Sequence, residues 1–344
     1  LGVLAASFTE LADPSRIFGI WWFTFAMGAI ITALGIGSMG AFSINLPQSV
    51  YKVNPKADSA HGSFLFGVMT AILGLPCFGF VAGALLPIAA SLGTLITILV
   101  FVSLGVGMAL PYLVLSAKPS LVEKVPRTGP ASELVKQVMG LLLIAAGVYF
   151  LGSGLLALFS GNATVLPWWG KVVHWWLVAF AALAAGGWLA WRTVAITKRA
   201  LPSLAMSLAG LLIAGGGAYA AIDSTVEARN NFWNPYSEEA FTQALDDGRI
   251  IVVDFTAEWC LNCKALKKAV LNRNPVKPQL LSDQVVPITA DLTSSSAPGW
   301  DFLRDLGQTG IPTLAVFGPG LERPWVANAY TSQQVLDAIE RARG

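Results

Sequence analysis

Long apolar runs fill the first two thirds of the chain and then stop. Stretches 17–44, 62–89, 92–115, 138–159, 172–191 and 201–222 are nearly free of charge, and each reaches the ~20 residues a helix needs to cross a bilayer. They predict an α-helical polytopic membrane bundle of six spans over residues 1–222. Beyond a polar linker, 223–236, the rhythm changes to short apolar runs between polar turns. Ser237 followed by Glu238 and Glu239 reads as an N-cap with acids in the first helical turn. Strands are expected at 250–255, 285–290 and after Pro312, and helices at 260–271 and from Thr331-Ser332, the last with Val335, Leu336 and Ile339 on one face. Alternating strands and helices predict an α/β layered domain over 237–344.

Composition agrees with this division. The 344 residues are 55% hydrophobic and 12% charged, with a mean hydropathy of +0.63, values of a membrane protein on average. Through Ile222 there are 11 basic and 5 acidic residues; from Asp223 onward there are 11 and 15. Neither part has a basic patch interleaved with aromatics, which argues against nucleic acid as a partner. The basic residues also orient the spans. Lys52, Lys56, Lys118, Lys124, Arg127, Lys136, Arg192, Lys198 and Arg199 fall in one set of alternate loops, and only Arg16 and Lys171 in the other. The positive-inside rule makes the first set cytoplasmic. The N-terminus and the polar domain then share the far side. Trp168, Trp169, Trp175 and Trp176, with His174 among them, read as an interfacial belt there.

The densest chemistry lies in Trp259-Cys260-Leu261-Asn262-Cys263-Lys264, directly after the strand-like run 250–255. Two cysteines one turn apart at the start of a helix form a redox device. Unpaired N–H groups and the helix dipole stabilise a thiolate on the first, and the second is close enough to close a disulfide. Half of a zinc site is the competing reading. It lacks ligands, since Cys77, His61 and His174 are all far upstream in apolar sequence. Cys260 is expected to be the exposed nucleophile, Cys263 the buried resolving thiol, and Trp259 a cover for the pair. Glu258 reads as an exposed charge.

Cys77 follows Pro76 inside an apolar span. Proline breaks the helical ladder, and broken backbone at membrane depth is tolerated only against protein or a water-filled cavity. A thiol there can be reached from a cavity, while the alternative is a buried cysteine acting as a small hydrophobe. A repeat favours the first. Met27-Gly28, Ala33 and Gly35 recur at the same spacing as Met139-Gly140, Ala145 and Gly147, in spans that the loop charges orient oppositely. An inverted repeat of this kind places the equivalent of the Cys77 span ahead of residue 1. The chain opens on Leu1 with Glu10, Asp13 and Arg16 close behind, unlike a signal peptide, and is expected to start partway through a longer protein.

These residues resemble the DsbD/ScsB family of transmembrane thiol:disulfide reductases. Ser38-Met39-Gly40-Ala41-Phe42-Ser43-Ile44-Asn45-Leu46-Pro47 is similar to the end of the family's third span. Leu75-Pro76-Cys77 is similar to its fourth, and the segment 259–264 to its C-terminal thioredoxin-like domain. The resemblance implies eight spans of which this chain carries the last six, in a bacterial inner membrane, with the thioredoxin-like domain in the periplasm. It implies cytosolic thioredoxin as electron donor, and an N-terminal periplasmic domain and periplasmic disulfide proteins as acceptors. Electrons would pass through Cys77 to Cys260–Cys263 with no bound cofactor or metal. It further implies that Pro312 is cis and lies against the cysteine pair, and that Asp254, six residues before Cys260, exchanges a proton with Cys263. Two positions depart from the pattern. Phe80 stands where the family usually has proline, and Lys267 where some relatives have an acid, which is expected to make the local field more positive and favour thiolate. Two rivals remain: a thioredoxin-like oxidase or isomerase for which the spans are only a tether, and a transporter with a fused redox-regulatory domain.

Overall fold

A computed structural model describes residues 16, 18–38, 98–99, 102–107, 109–110, 130–160, 168–196 and 200–344. Among these, four helices are long and apolar enough to span a membrane: α1 (Trp21–Ser38), α2 (Pro130–Ser160), α3 (Trp168–Ile196) and α4 (Ala200–Arg229). They correspond to the first, fourth, fifth and sixth expected spans. The second expected span, with Pro76 and Cys77, lies outside the described residues, and the third is described only at 98–99, 102–107 and 109–110, all helical. The outer faces are apolar, with Phe180, Val194, Leu211 and Leu212 each at least two-thirds exposed. Such surface is stable only against lipid or further apolar protein.

The helix pair α1 and α2 packs through the repeated small residues. A Cβ added to Gly28 would come 2.6 Å from the backbone nitrogen of Leu151 and 2.9 Å from the Gly147 carbonyl oxygen. At Gly35 the obstacle is the Gly140 carbonyl oxygen, 2.7 Å away. The first glycine of one copy therefore meets the last of the other, as two antiparallel copies of one pattern should. Only hydrogen side chains allow backbones this close.

Helix α4 corrects the expected linker. It continues past Ile222 to Arg229, so residues 223–229 form about two polar helical turns. Asp223 and Glu227 stabilise this extension by facing partners in the second domain: Lys268 Nζ at 2.6 Å and Asn272 Nδ2 at 2.9 Å.

The second domain is a five-stranded mixed sheet in the order β1-β3-β2-β4-β5, with β1 (Asn234–Pro235), β2 (Ile250–Thr256), β3 (Val285–Asp291), β4 (Thr313–Phe317) and β5 (Trp325–Ala327). β1, β3 and β2 run parallel, while β4 and β5 are antiparallel to their neighbours. Alternate residues of β2 feed two cores. Ile250 and Val252 pack with Leu271, Leu314, Val335 and Ile339, whereas Ile251, Val253 and Phe255 pack with Cys263, Ile288, Trp300 and Leu303. Helix α5 (Glu238–Asp246) starts at the expected cap, Ser237 Oγ accepting from the Ala240 amide at 3.2 Å. The closing helix α9 (Ser332–Arg343) starts on a Thr331/Gln334 capping box. Its buried face is Val335, Ala338, Ile339 and Ala342, with Leu336 only partly covered. Two short helices, α7 (Val276–Leu280) and α8 (Gly299–Asp305), complete the layers.

Candidate functional site

The helix after β2 begins at the cysteines, as expected, but does not run unbroken to 271. Helix α6 (Leu261–Leu266) passes into a single π-helical turn, Lys267–Leu271. Cys260 is its N-cap, and the Cys263 amide donates to Cys260 Sγ at 3.2 Å. The two sulfurs are joined in a disulfide, with the Cα atoms 5.3 Å apart. A sulfur that receives an amide at a helix N-terminus is stabilised as the anion once the bond is reduced. The Ile311–Pro312 bond is cis, and the Pro312 carbonyl accepts from Asn328 Nδ2 at 3.3 Å.

Cys263 is buried, and so is Cys260, at 7% exposure. The residue expected to be an exposed nucleophile is instead covered, in a cluster of the domain's own apolar residues onto which Phe18 also packs. Trp259 is also buried. Its indole N–H donates to the Thr293 carbonyl at 3.3 Å, and its ring packs on Phe18, just ahead of α1, with centroids 5.6 Å apart. Ser295 donates its amide to the Gly19 carbonyl at 2.9 Å, while Arg16 Nε donates to the Ser295 carbonyl at 3.1 Å. From α2 the Tyr149 hydroxyl donates to the backbone carbonyl of Glu258. Tyr149 stands eleven residues before the end of α2, about 16 Å along the helix at 1.5 Å per residue. The loop before Cys260 therefore reaches well into the bundle. The contacts come from the start of α1, the second half of α2, the start of α3 and the end of α4, which are one and the same side for helices that alternate in direction.

Several side chains differ from their sequence readings. His174 is buried, with its ring against Tyr149 and Trp175 at 5.6 Å each. It is not in the lipid interface because α3 turns that face toward α2. Trp175 is half-buried and faces Tyr149 and the Lys264 ammonium. Trp168, Trp169 and Trp176 are exposed, as a belt requires. Glu258 is not a free surface charge, since Lys264 Nζ lies 2.7 Å from its carboxylate. Burial pushes the Glu258 carboxyl up, but the charge and hydrogen bond of Lys264, helped by His174 and Lys171, outweigh it and leave it below the usual glutamate range. Lys264 shows the counterpart: burial lowers it, Glu258 raises it more, and the net direction is up.

Asp254 is 2% exposed on β2. Its Oδ2 lies 3.1 Å from Lys267 Nζ. Lys267 therefore does not add an unpaired positive charge to the cysteines as expected; its ammonium is taken up by the acid. A cleft of about 480 Å³ opens beside this pair, between the α3 and α4 ends and α6, and both signs of charge line it, among them Lys171, Asp223, Glu227, Lys264, Lys268 and Asp291.

Tyr149 and Lys268 were not singled out from sequence. A tyrosine in an apolar span has no local signature of a partner 109 residues away. The one available signal was the polar content of 223–229, too charged for a span end and too regular for a linker.

Fold and site together define a thioredoxin-like dithiol domain seated on a bundle of helices long and apolar enough to cross a membrane. Comparison with known proteins agrees for each half. Residues 1–155 match the cytochrome C biogenesis protein transmembrane domain, and residues 232–319 match a thioredoxin-like domain. The chain is 27% identical over 320 residues to the thiol:disulfide interchange protein DsbD of Yersinia enterocolitica, covering 87% of this chain and 51% of that protein. It is 26% identical over 314 residues to DsbD of Escherichia coli K12, with 87% and 52% covered, and 26% identical over 365 residues to DsbD of Pseudomonas sp. JR1, with 94% and 58% covered. In both halves the chain is similar to DsbD-type thiol:disulfide interchange proteins, and it spans about half the length of the curated relatives it matches.

Proposed function

We propose that this chain carries electrons across a bacterial inner membrane, from cytosolic thioredoxin through Cys77 to Cys260–Cys263 and on to periplasmic protein disulfides. The observation that carries the reading is the docking of the redox loop. A tethered thioredoxin-like domain has no need to dock its redox loop on its own anchor, whereas a domain reduced from within the membrane must bring that loop to the bundle. The distribution of Lys and Arg supports a cytoplasmic assignment for the loops opposite the domain and, with it, a periplasmic one for the domain itself. The conduit would comprise residues 1–222, with the helical extension 223–229 as the docking strut, and the thioredoxin-like unit residues 237–344.

The chemistry is thiol–disulfide exchange throughout and calls for no bound cofactor or metal. A thiolate donor attacks one sulfur of the Cys260–Cys263 disulfide, and a second donor thiol resolves the mixed disulfide. The pair gains two electrons and two protons and the donor is left oxidised. In the outgoing step the Cys260 thiolate attacks the acceptor disulfide. Cys263 gives its proton to Asp254 and attacks Cys260 Sγ, which re-forms the pair and releases the acceptor as two thiols. Trp259 shields the pair, and cis-Pro312 bounds the approach of a partner chain. An intramembrane partner for Cys77, on spans ahead of residue 1, completes the scheme.

The test is an alkylation-shift assay of Cys260–Cys263 in cells, comparing the wild type with Cys77→Ser. A pair that is reduced in the wild type and trapped as a disulfide in the variant supports the conduit. The same state in both means that the domain is supplied from elsewhere and the spans are an anchor.

A further inference from the structure

The Asp254 carboxylate is one of the most enclosed charges in the thioredoxin-like domain, and a buried charge without a counter-ion is strongly unfavourable. Its surroundings supply one. Lys267 Nζ lies 3.1 Å from Asp254 Oδ2, with the side chains 12% and 3% exposed. The same ammonium donates to Thr289 Oγ1 at 3.1 Å and stands 4.4 Å over the Trp233 ring. Thr289 is the β3 residue paired with Asp254 in the sheet register, so acid, hydroxyl and indole all lie beside the ammonium, the acid in charge contact without a hydrogen bond. Lys267 is also one turn beyond Cys263, its amide donating to the Cys263 carbonyl. The resolving cysteine and the counter-ion of the proton acceptor are thus successive features of one helix.

Around Asp254, the titratable and charged groups are Lys267 on the active-site helix and Tyr330 ahead of α9. Its sheet neighbours Thr289 and Leu314 bring no charge. Lys264, Lys268, Glu227 and Asp291 line the adjoining cleft, Lys264 and Lys268 paired there with Glu258 and Asp223.

We propose that Lys267 is a positioning residue for the exchange reaction: its ammonium, fixed between Asp254, Thr289 and Trp233, supplies the counter-charge that keeps Asp254 available as the base for the Cys263 proton. The inference rests on the proton-accepting role given to Asp254 above. It recasts the lysine, whose sequence position suggested a direct effect on the thiolate, as a residue acting through the acid.

The test uses the full-length chain, reduced, in a Cys77→Ser background, reacted with 5,5′-dithiobis(2-nitrobenzoate). Attack by Cys260 releases the first nitrothiobenzoate and leaves a mixed disulfide. Attack by Cys263 releases the second and closes the pair, so two thiols leave for each disulfide consumed. The second phase is followed against pH. Lys267→Gln and Lys267→Met should move its midpoint up, the direction expected when a nearby opposite charge is removed. Lys267→Arg should restore the wild-type profile, which a merely space-filling role would not require. Asp254→Asn should slow the phase on the order of 100-fold. A slowed Asp254→Asn beside neutral Lys267 variants that superpose on the wild type overturns the role of Lys267 and leaves that of Asp254 standing. An Asp254→Asn profile equal to the wild type removes both.

Discussion

Tyr149→Phe isolates the contact that holds the redox loop in the bundle. The hydroxyl is on a 4% exposed side chain and its acceptor is the Glu258 carbonyl, two residues before Cys260. The variant keeps the ring and its packing on His174 and Trp175 but leaves a covered carbonyl without its donor. Such a loss costs about 1–3 kcal/mol, or about 5- to 150-fold in the docking equilibrium at 1.4 kcal/mol per tenfold. The ion pair of Asp223 with Lys268 is the natural comparison. Its side chains are 32% and 44% exposed, so Asp223→Asn should cost below about 1 kcal/mol, and salt should erase the difference. The assay is the rate at which a bulky maleimide labels reduced Cys260 in the full-length protein in lipid nanodiscs, read on the Cys260 peptide by mass spectrometry. Tyr149→Phe should accelerate labelling at both low and high salt, and Asp223→Asn only at low salt. A Tyr149→Phe rate equal to the wild type would refute the argument, since the loop would then be held by something other than this bond.

Gly28→Leu or Gly147→Leu should destabilise the bundle by about 1–3 kcal/mol through overpacking, seen as a lower melting temperature in detergent. Gly37→Leu, where a Cβ would meet nothing within 4 Å, should not. The Glu258–Lys264 pair predicts a pH signature. Glu258 lies below its ordinary range, so its contribution is present above that range and lost as pH falls through the lowered value. Lys264 lies above its own range, so its share persists at neutral pH and is lost only as pH rises through the raised value. Glu258→Gln should therefore cost about 1 kcal/mol between roughly pH 5 and 9, as expected for a partly exposed pair, and the difference should close in acid chemical-denaturation curves. Cys77→Ser and the Lys267 series, described above, test the electron path and the proton path separately.

What the sequence shows and what it hides divide along the range of the interactions. The strand-to-helix cysteine pair, the Ser237 cap and the Thr331 box all depend on residues within a turn or two of each other, and each is visible as a local pattern. The glycine repeat was visible too, because its regular spacing survives without knowledge of the partner helix. The burial of Cys260, the bond from Tyr149 and the pairing of Lys267 with Asp254 join elements 13 to 109 residues apart, where neither residue announces the other. Residues 223–229 misled because acids that grip a docked domain look, in isolation, like acids that solvate a linker.

The crossed glycines of α1 and α2 have a bearing on direction. Two copies of one pattern packed head to tail are exchanged by a half-turn about an axis crossing the helix pair, so the small-residue seam reads the same in both directions along it. A scaffold of that kind is no ratchet. Under the proposed electron path, the relative potentials of the two dithiols, rather than this seam, would set which way electrons run.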